Sequence, residues 1–343
     1  MHIPIPFFIT LVLSFFISII IVGISRLIHS QDHHVTKKRA AHKTATPRLG
    51  GLAIIIAIFA GLFMLEISVK WYLLIAITPI FMAGIMEDLN YPIHPYMRLC
   101  LGAISAGICV YFTGIWLREI NVPYFDMLLQ YPVFGVAFTV FAILILINSI
   151  NMIDGINGLA SGKTLIMSAA IVGLSNHFAE PGIVILNMLI FSSVLGFFML
   201  NYPTGRLFMG DAGAYALGFL IAISLIALKS RHPELSGWAV LLIVFWPAMD
   251  MVHSVFRRFY KNTDATRPDM MHFHHVLMRR IEIYSKGRIP RLWSNPIATA
   301  IILPMATIPV FTGLAFHTSS KICAIAVIFF LVLYSLIYAR LVR

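Results

Sequence analysis

Residues 133–159 read VFGVAFTVFAILILINSINMIDGINGL. The first eighteen are almost all apolar, and a helix of about that length approaches the thickness of the hydrocarbon core of a bilayer. The last nine form a polar string rich in Asn, Asp and Gly. Apolar runs separated by short polar strings recur along the chain. This alternation predicts an all-α, polytopic transmembrane helical bundle.

Composition supports a membrane protein. Of the 343 residues, 59% are apolar and 11% are charged, whereas soluble domains have about 45–50% and about 25%. Length alone would permit two soluble domains, but so few charges could not cover two water-facing surfaces. A β-barrel would need alternating segments of about 10 residues, which the sequence lacks. Disordered, collagen-like and nucleic-acid-binding proteins are excluded as well.

Eleven apolar runs are long enough to be candidate membrane spans. They cover 3–28, 50–66, 71–86, 98–116, 133–150, 162–178, 182–200, 213–228, 237–256, 296–316 and 321–339. The sequence has no internal repeat and no low-complexity tract. We therefore expect one integral membrane domain, residues 1–343.

Lys and Arg are distributed unequally between the two sets of connecting segments. Of the 25 Lys and Arg residues, 20 fall in one set and 5 in the other. The positive-inside rule places the richer set in the cytoplasm, with the N-terminus outside and the C-terminus inside. This explains most of the net charge of +11 without nucleic acid. The predicted cytoplasmic loops are 29–49, 87–97, 151–162, 201–212 and 257–295, and the last is expected to hold a short amphipathic helix on anionic headgroups.

Four polar strings interrupt the apolar sequence, and this topology places all four on the cytoplasmic face. They are Glu87–Asp88, residues 148–159, residues 208–213 and His272–His275. Carboxylate and amide oxygens at a water–lipid boundary suit Mg²⁺, which completes its shell with water and substrate phosphates; Mn²⁺ is the alternative ion. Basic and histidine-rich strings suit an anionic substrate such as a diphosphate. Together they predict Mg²⁺-assisted phosphoryl chemistry.

Each string also has a purely structural interpretation. Glu87–Asp88 could be a solvated helix end, and the Asn-Gly and Asp-Gly pairs could be ordinary turns. Asp211 could be the N-cap of the following helix. Asp250, inside a span, could pair with Arg257 or Arg258 further along the same helix. The histidine string could bind a transition metal, although no Cys or His-Glu-x-x-His motif accompanies it.

Read in order, the strings resemble the polyprenyl-phosphate N-acetylhexosamine-1-phosphate transferase family (glycosyltransferase family 4). The resemblance runs from about residue 30 to 280 and depends on motifs in a set order. These motifs are Pro47-Arg48-x-Gly50-Gly51, Glu87-Asp88, Asn151-x-x-Asp154-Gly155-x-Asn157-Gly158-Leu159, Phe208-Met209-Gly210-Asp211 and His272-x-His274-His275. The histidine motif favours the branch that initiates O-antigen and enterobacterial common antigen over the related phospho-N-acetylmuramoyl-pentapeptide transferase.

The resemblance implies a reaction and a set of roles. Undecaprenyl phosphate would attack the β-phosphorus of a UDP-N-acetylhexosamine such as UDP-GlcNAc, releasing UMP and initiating O-antigen, lipopolysaccharide or other cell-envelope synthesis. Asp211 would bind Mg²⁺, with Asn151 as a second ligand, and Asp88, Glu87 or Asp154 would orient or deprotonate the lipid phosphate. The substrate-binding residues would be Lys43, Arg48, Asn151, Asn157, His272, His274 and His275.

Two departures from the family pattern affect these expectations. Glu87 stands where the family usually has Asp, so its carboxylate is one methylene further from the backbone. Asp269 is followed by Met270 and Met271, where the family often has Asp-Arg. We therefore base the catalytic prediction on Asp88 more than on Glu87.

Several alternatives stay open at this point. A transporter would also be polytopic, but its polar residues should cluster near the bilayer midplane within an inverted repeat; a scaffold would not need these strings. The resemblance implies a bacterial inner membrane location, with membrane lipids and a homodimer partner as further expectations. Donor sugar, prenyl length, and direct attack or a covalent intermediate on Asp154 are left open.

Overall fold

The computed structural model describes residues 5–28, 46–65, 70–260 and 271–343. Within these ranges the chain forms fourteen helices and no strand. The helices are α1 Ile5–Ile28, α2 Gly50–Met64, α3 Lys70–Asp88, α4 Pro95–Thr113, α5 Pro123–Leu129, α6 Pro132–Ile153, α7 Leu159–His177, α8 Pro181–Asn201, α9 Gly210–Arg231, α10 Gly237–Ile243, α11 Phe245–Tyr260, α12 Phe273–Tyr284, α13 Arg291–Ala315 and α14 Ser320–Val342. The predicted all-α, polytopic fold is confirmed.

Each predicted span coincides with a helix or a helix pair. Among the described residues, eight helices are long and apolar enough to cross a membrane, or nine with the bent pair α10–α11. Helix α2 is shorter, with 15 residues. The count of eleven spans and the orientation of the termini stay predictions.

The predicted span 237–256 is not one straight helix, because the helix breaks at Val244. Helices α10 and α11 meet there at an angle of 84°. Pro247 explains the break, since a proline ring clashes with the carbonyl four residues earlier and supplies no N–H for it. That carbonyl belongs to Ile243, the last residue of α10.

The described segments that were predicted as cytoplasmic loops are shorter than expected. Glu87 and Asp88 lie in the last turn of α3, and the loop predicted at 151–162 reduces to 154–158, between α6 and α7. Segment 257–295 contains the expected short helix, α12. These helix extensions place the polar side chains on helix ends, where packing restricts their direction.

Helix α9 lies at the centre of the bundle and is the most deeply buried of the eight candidate spans. Its first half is rich in Gly and Ala, which let neighbouring helix backbones approach closely. A Cβ placed on Gly218 would lie 2.6 Å from the Cα of Ile147 on α6. Small residues on α9 therefore determine how close α6 can come.

The segment before α2 is held against the start of α9 by backbone hydrogen bonds. Phe208 N donates to Pro47 O at 2.9 Å, Gly50 N to Phe208 O at 3.0 Å and Gly51 N to Met209 O at 2.7 Å. Gly51 also faces the backbone of Gly213, where a side chain on either residue would collide with the other. This pairing of the two glycine-bearing motifs brings Arg48 to the end of α9.

We predict that Gly218→Ala lowers the thermal unfolding temperature in detergent, because the added methyl group pushes α6 from α9. Overpacking of this kind costs about 1–3 kcal/mol. The control is Gly107→Ala on α4, where no atom lies within 4 Å of the new methyl group. Equal unfolding temperatures for the two variants would contradict this account of the α6–α9 contact.

Candidate active site

Five polar side chains from four helix ends converge on one side of the bundle. Arg48 precedes α2, Asp88 ends α3, Asn151 is near the end of α6, Asp154 follows it, and Asp211 is in the first turn of α9. The structure therefore brings together residues that are up to 163 positions apart in sequence. All five were predicted as members of one site from the resemblance of their motifs to those of the family.

Asp211 is at the centre of this group. Arg48 Nη2 donates to Asp211 Oδ2 at 3.1 Å, and Asn151 Nδ2 donates to Asp211 Oδ1 at 2.6 Å. The Asp211 side chain is 19% exposed, so solvent and ligands can reach it. Asp211 makes no side-chain cap of its own helix, which removes the structural alternative for this residue.

Asp88 instead caps α9. Its Oδ1 accepts a hydrogen bond from the backbone N–H of Asp211 at 2.8 Å, and its Oδ2 accepts one from Ala212 at 3.0 Å. A carboxylate is favourable there because the first N–H groups of a helix lack partners and carry the positive end of its dipole. The Asp88 side chain is fully buried. This geometry favours a positioning role for Asp88, acting through Asp211.

Glu87 points to a different set of partners, which sequence reasoning missed. Tyr215 donates its hydroxyl hydrogen to Glu87 Oε2 at 2.7 Å, and Arg98 Nη1 donates to the Tyr215 oxygen at 3.0 Å. Arg98 Nη1 also lies 3.6 Å from Glu87 Oε1. The longer side chain of Glu87 thus places its carboxylate against Tyr215 and Arg98. Tyr215 could have been found, because it lies four residues after Asp211 on the same helix face.

Asp154 follows the last residue of α6 and forms no side-chain hydrogen bond with any residue in the described ranges. Burial raises the pKa of its carboxyl to about 7; nearby Asp211 and Asp88 add to the rise, while Arg48 opposes it. The Asp154 carboxyl group therefore lies near Asp211 without a hydrogen-bond partner among the described residues.

The histidine string lies against the same loop. His274 Nε2 is buried without a hydrogen-bond partner and faces Gly155, where any side chain would collide with it. Burial lowers the pKa of His274 well below its usual value and that of His275 to about 4. Both rings are therefore neutral at pH 7 and offer hydrogen bonds, not charge.

Asp250 orients the string. His272 Nδ1 lies 2.7 Å from Asp250 Oδ2, while Phe273 N and Tyr334 Oη donate to Asp250 Oδ1 at 2.9 and 3.0 Å. The alternative of an ion pair between Asp250 and Arg257 or Arg258 is wrong for this structure. Asp250 caps α12 because the first N–H groups of that helix also need acceptors.

The Asn157 side chain, a predicted substrate-binding group, contacts other parts of the fold. Asn157 is buried; its Nδ2 donates to Pro203 O at 2.9 Å and its backbone O accepts from Thr299 Oγ1 at 2.6 Å. These contacts join the 154–158 loop to its neighbours and favour a structural role. Lys43 lies outside the described residues. Both substrate-binding assignments stay predictions.

The site is suited to a cation that is bound by protein carboxylates on one side and by substrate oxygens on the other. In the described part of the chain, no three His, Cys, Asp or Glu side chains are placed to hold a metal ion together. Asp154 and Asp211 nevertheless add their charges to that of Asp88 beside one guanidinium, Arg48. Mg²⁺ uses one or two carboxylates and takes water and phosphate oxygens for the rest, so these residues fit it.

Comparison with known proteins decides the family. The model of "Glycosyl transferase family 4" matches residues 70–229. The chain is 30% identical over 254 residues to the undecaprenyl-phosphate alpha-N-acetylglucosaminyl 1-phosphate transferase of Salmonella typhi, covering 70% of this chain and 67% of the relative. This chain belongs to glycosyl transferase family 4, the polyprenyl-phosphate N-acetylhexosamine-1-phosphate transferases.

Other relatives of this glycosyl transferase agree. The probable undecaprenyl-phosphate N-acetylglucosaminyl 1-phosphate transferase of Bacillus subtilis is 28% identical over 287 residues, covering 81% of this chain and 77% of the relative. The undecaprenyl-phosphate alpha-N-acetylglucosaminyl 1-phosphate transferase of Escherichia coli K12 is 29% identical over 251 residues. The match covers 70% of this chain and 67% of the relative. The family match contains Asp88, Asn151, Asp154 and Asp211, whereas Arg48 and the histidine string lie outside it.

We predict that Asp88→Asn lowers the unfolding temperature of the transferase, because an amide nitrogen would face a backbone N–H of α9. Hydrogen bonds to a charged group contribute about 1.5–3 kcal/mol. Asp211→Asn keeps both cap bonds and should unfold close to wild type. Thermal unfolding in detergent measures both variants; the reverse order would exclude a capping role for Asp88.

We also predict that Glu87→Asp lowers turnover about tenfold or more, although Asp is usual in the family. The shorter side chain withdraws the carboxylate from Tyr215, and a displacement of about 1 Å can cost up to about 100-fold in rate. Glu234→Asp, the same shortening at an exposed residue, is the control. Wild-type turnover in Glu87→Asp would show that the Tyr215 contact has no catalytic consequence.

Proposed function

We propose that this chain transfers N-acetylhexosamine-1-phosphate from a UDP-sugar to undecaprenyl phosphate. The products are undecaprenyl-diphosphate-N-acetylhexosamine and UMP. The observation that carries the proposal is the contact of Asp211 with Arg48 and Asn151, beside the unpaired Asp154. Relatives whose names give undecaprenyl phosphate and N-acetylglucosamine support the two substrates.

The bond changes are those of one phosphoryl transfer. An oxygen of the lipid phosphate forms a bond to the β-phosphorus of the donor, and the bond between that phosphorus and the bridging oxygen breaks. UMP leaves with the electron pair. The nucleophile is a phosphate monoester, whose second pKa is near 6, so it is already ionised at pH 7. The enzyme has little need for a general base.

The harder task is to bring two anions together. Arg48 supplies a positive charge 3.1 Å from Asp211 and can pair with a phosphate through two parallel hydrogen bonds. His274 has a buried, unpartnered nitrogen that can donate to the donor diphosphate or sugar. Neutral donors aimed at developing charge in a site shielded from water stabilise a transition state strongly.

Mg²⁺, with Mn²⁺ as a substitute, completes the proposal. The ion would neutralise the phosphate oxygens of the donor. Asp211 and Asp154 would hold it. Asn151, which donates to Asp211 as placed, would orient that carboxylate or turn its own oxygen to the ion.

We propose direct attack on the donor instead of a covalent intermediate on Asp154. The two routes differ in what happens without the lipid. A covalent route releases one UMP per enzyme from donor and Mg²⁺ alone, and direct attack releases none. A rapid-mixing experiment on purified protein that detects a stoichiometric burst of UMP would therefore overturn direct attack.

The proposed setting is the bacterial inner membrane, with the site open to the cytoplasm, where nucleotide sugars are made. The step would initiate O-antigen or another envelope polysaccharide, and the enzyme would act as a homodimer. Concentration of the site residues at one side of the bundle supports a membrane-surface reaction, because the lipid phosphate must stay at the headgroups while a soluble donor reaches it.

The deciding experiment measures UMP release from purified protein with undecaprenyl phosphate, Mg²⁺ and a panel of UDP-N-acetylhexosamines. We expect release that depends on the lipid, stops with EDTA and is fastest for one donor. Asp211→Asn should lower turnover by orders of magnitude while keeping the wild-type unfolding temperature. Glu234→Gln, the same change at an exposed position, should have no effect.

Two results would contradict the proposal. Release of no UMP from any donor, by protein shown to be folded, would remove the reaction. Near-normal Mg²⁺-dependent turnover by Asp211→Asn would remove the assigned metal ligand.

A further inference from the structure

A second polar pocket lies between α12 and the end of α14, apart from the residues of the candidate active site. Its volume is about 190 Å³, and three arginines line it: Arg279, Arg280 and Arg343. No acidic residue lines the pocket. None of the three arginines forms an ion pair with a carboxylate in the described ranges. We call this site the arginine pocket.

The pocket is built into the fold. Arg280 Nε donates to the carbonyl of Leu341 near the end of α14. Tyr338 Oη donates to Met271 O at 2.7 Å, which ties the start of α12 to the same helix. A guanidinium has five N–H donors, and Arg280 uses one of them here. The remaining donors of the three side chains can serve an external acceptor.

Neighbouring residues indicate the depth of the pocket in the membrane. Tyr284 is 83% exposed, and Leu292 and Trp293, at the start of α13, are 58% and 55% exposed. Tyr and Trp are enriched at the boundary between water and lipid, where the ring is apolar and one atom is polar. Leu292 and Trp293 belong to the first turn of α13, which is long and apolar enough to cross a membrane. Exposed Tyr and Trp beside the start of such a helix are what we expect of a pocket at the depth of the phospholipid headgroups.

The lining combines charge with apolar surface. Val276 and Ile283 lie on the same face of α12 as Arg279 and Arg280, since residues three, four and seven apart share one side of a helix. A phosphate group would pair with the guanidinium groups, and the apolar residues would contact the glycerol and the first methylenes of a lipid. A soluble phosphate has no group that would use the apolar wall.

We propose that the arginine pocket binds the phosphodiester headgroup of an anionic phospholipid. Basic pockets at the cytoplasmic side of membrane helices are suited to such headgroups. The ligand is a lipid of the bilayer and not a substrate, because Arg48, Asp154 and Asp211 are not in the lining. The proposal does not depend on the transfer reaction.

The test is retention of phosphatidylglycerol against phosphatidylcholine by the full chain, measured by native mass spectrometry from mixed micelles. The variant is Arg279→Gln with Arg343→Gln, two exposed residues, which leaves the Arg280–Leu341 anchor intact. We expect the preference for phosphatidylglycerol to fall roughly 20-fold, since each cation near an anionic surface contributes about fivefold. The matched control is Arg118→Gln with Lys321→Gln, two exposed cations outside the pocket.

Three outcomes would overturn the proposal. The first is an unchanged preference in the pocket variant that unfolds at the wild-type temperature. The second is an equal loss in the control, which would indicate general charge. The third is protection against thermal unfolding by soluble glycerol phosphate equal to that by phosphatidylglycerol, which would identify a site for a soluble anion. Retention of donor-dependent UMP release in the pocket variant would agree with the proposal.

Discussion

The candidate site depends on one buried carboxylate, Asp88, which accepts hydrogen bonds from the N–H groups of Asp211 and Ala212 in the first turn of α9. A helix end inside a membrane protein needs acceptors for these groups, because lipid and apolar side chains supply none. Asp88 supplies both at once, and its negative charge meets the positive end of the helix dipole. The ends of α3 and α9 are thereby held at a fixed distance. Glycines at Gly84 and Gly210 allow this approach, since a side chain on either would collide with the opposite element.

Once α9 is held in this way, the direction of Asp211 follows. Its carboxylate emerges between Arg48 and Asn151, which arrive from a segment before α2 and from the end of α6. The backbone pairing of residues 47–51 with 208–209 makes Arg48 part of the site although it lies outside the family match. Negative charge exceeds positive charge at this point. Burial, with smaller contributions from Asp211 and Asp88, raises the pKa of Asp154. The excess of carboxylates supports the proposed cation site.

The neighbourhood of Glu87 differs from that of Asp88. The Glu87 carboxylate contacts the Tyr215 hydroxyl, which Arg98 also contacts. Glu87 is thereby directed along α9, while Asp88 is directed at the helix end. Two adjacent acids that look equivalent in the sequence thus have different surroundings and different roles.

Much of this could be predicted from the sequence. Runs of apolar residues determine membrane helices because every backbone polar group must be paired inside lipid, and this holds for each helix separately. Motif order placed Arg48, Asn151, Asp154 and Asp211 in one site. The presence of Pro247 did not by itself predict the break at Val244, because prolines inside α3 and α13 leave those helices continuous. Nor could local pattern separate the capping role of Asp88 from a catalytic one.

The sequence by itself therefore determined the all-α membrane fold, the family and the set of polar residues at one face. Tertiary structure alone decided which of those residues face one another. Packing places Asp88 as a helix cap, Asn157 as a buried contact between loops and His274 as a neutral ring. It also brings Arg98 and Tyr215 into contact with Glu87. The physical reason is that helix formation depends on neighbours along the chain, whereas burial, hydrogen-bond partners and pKa depend on groups that only packing brings together.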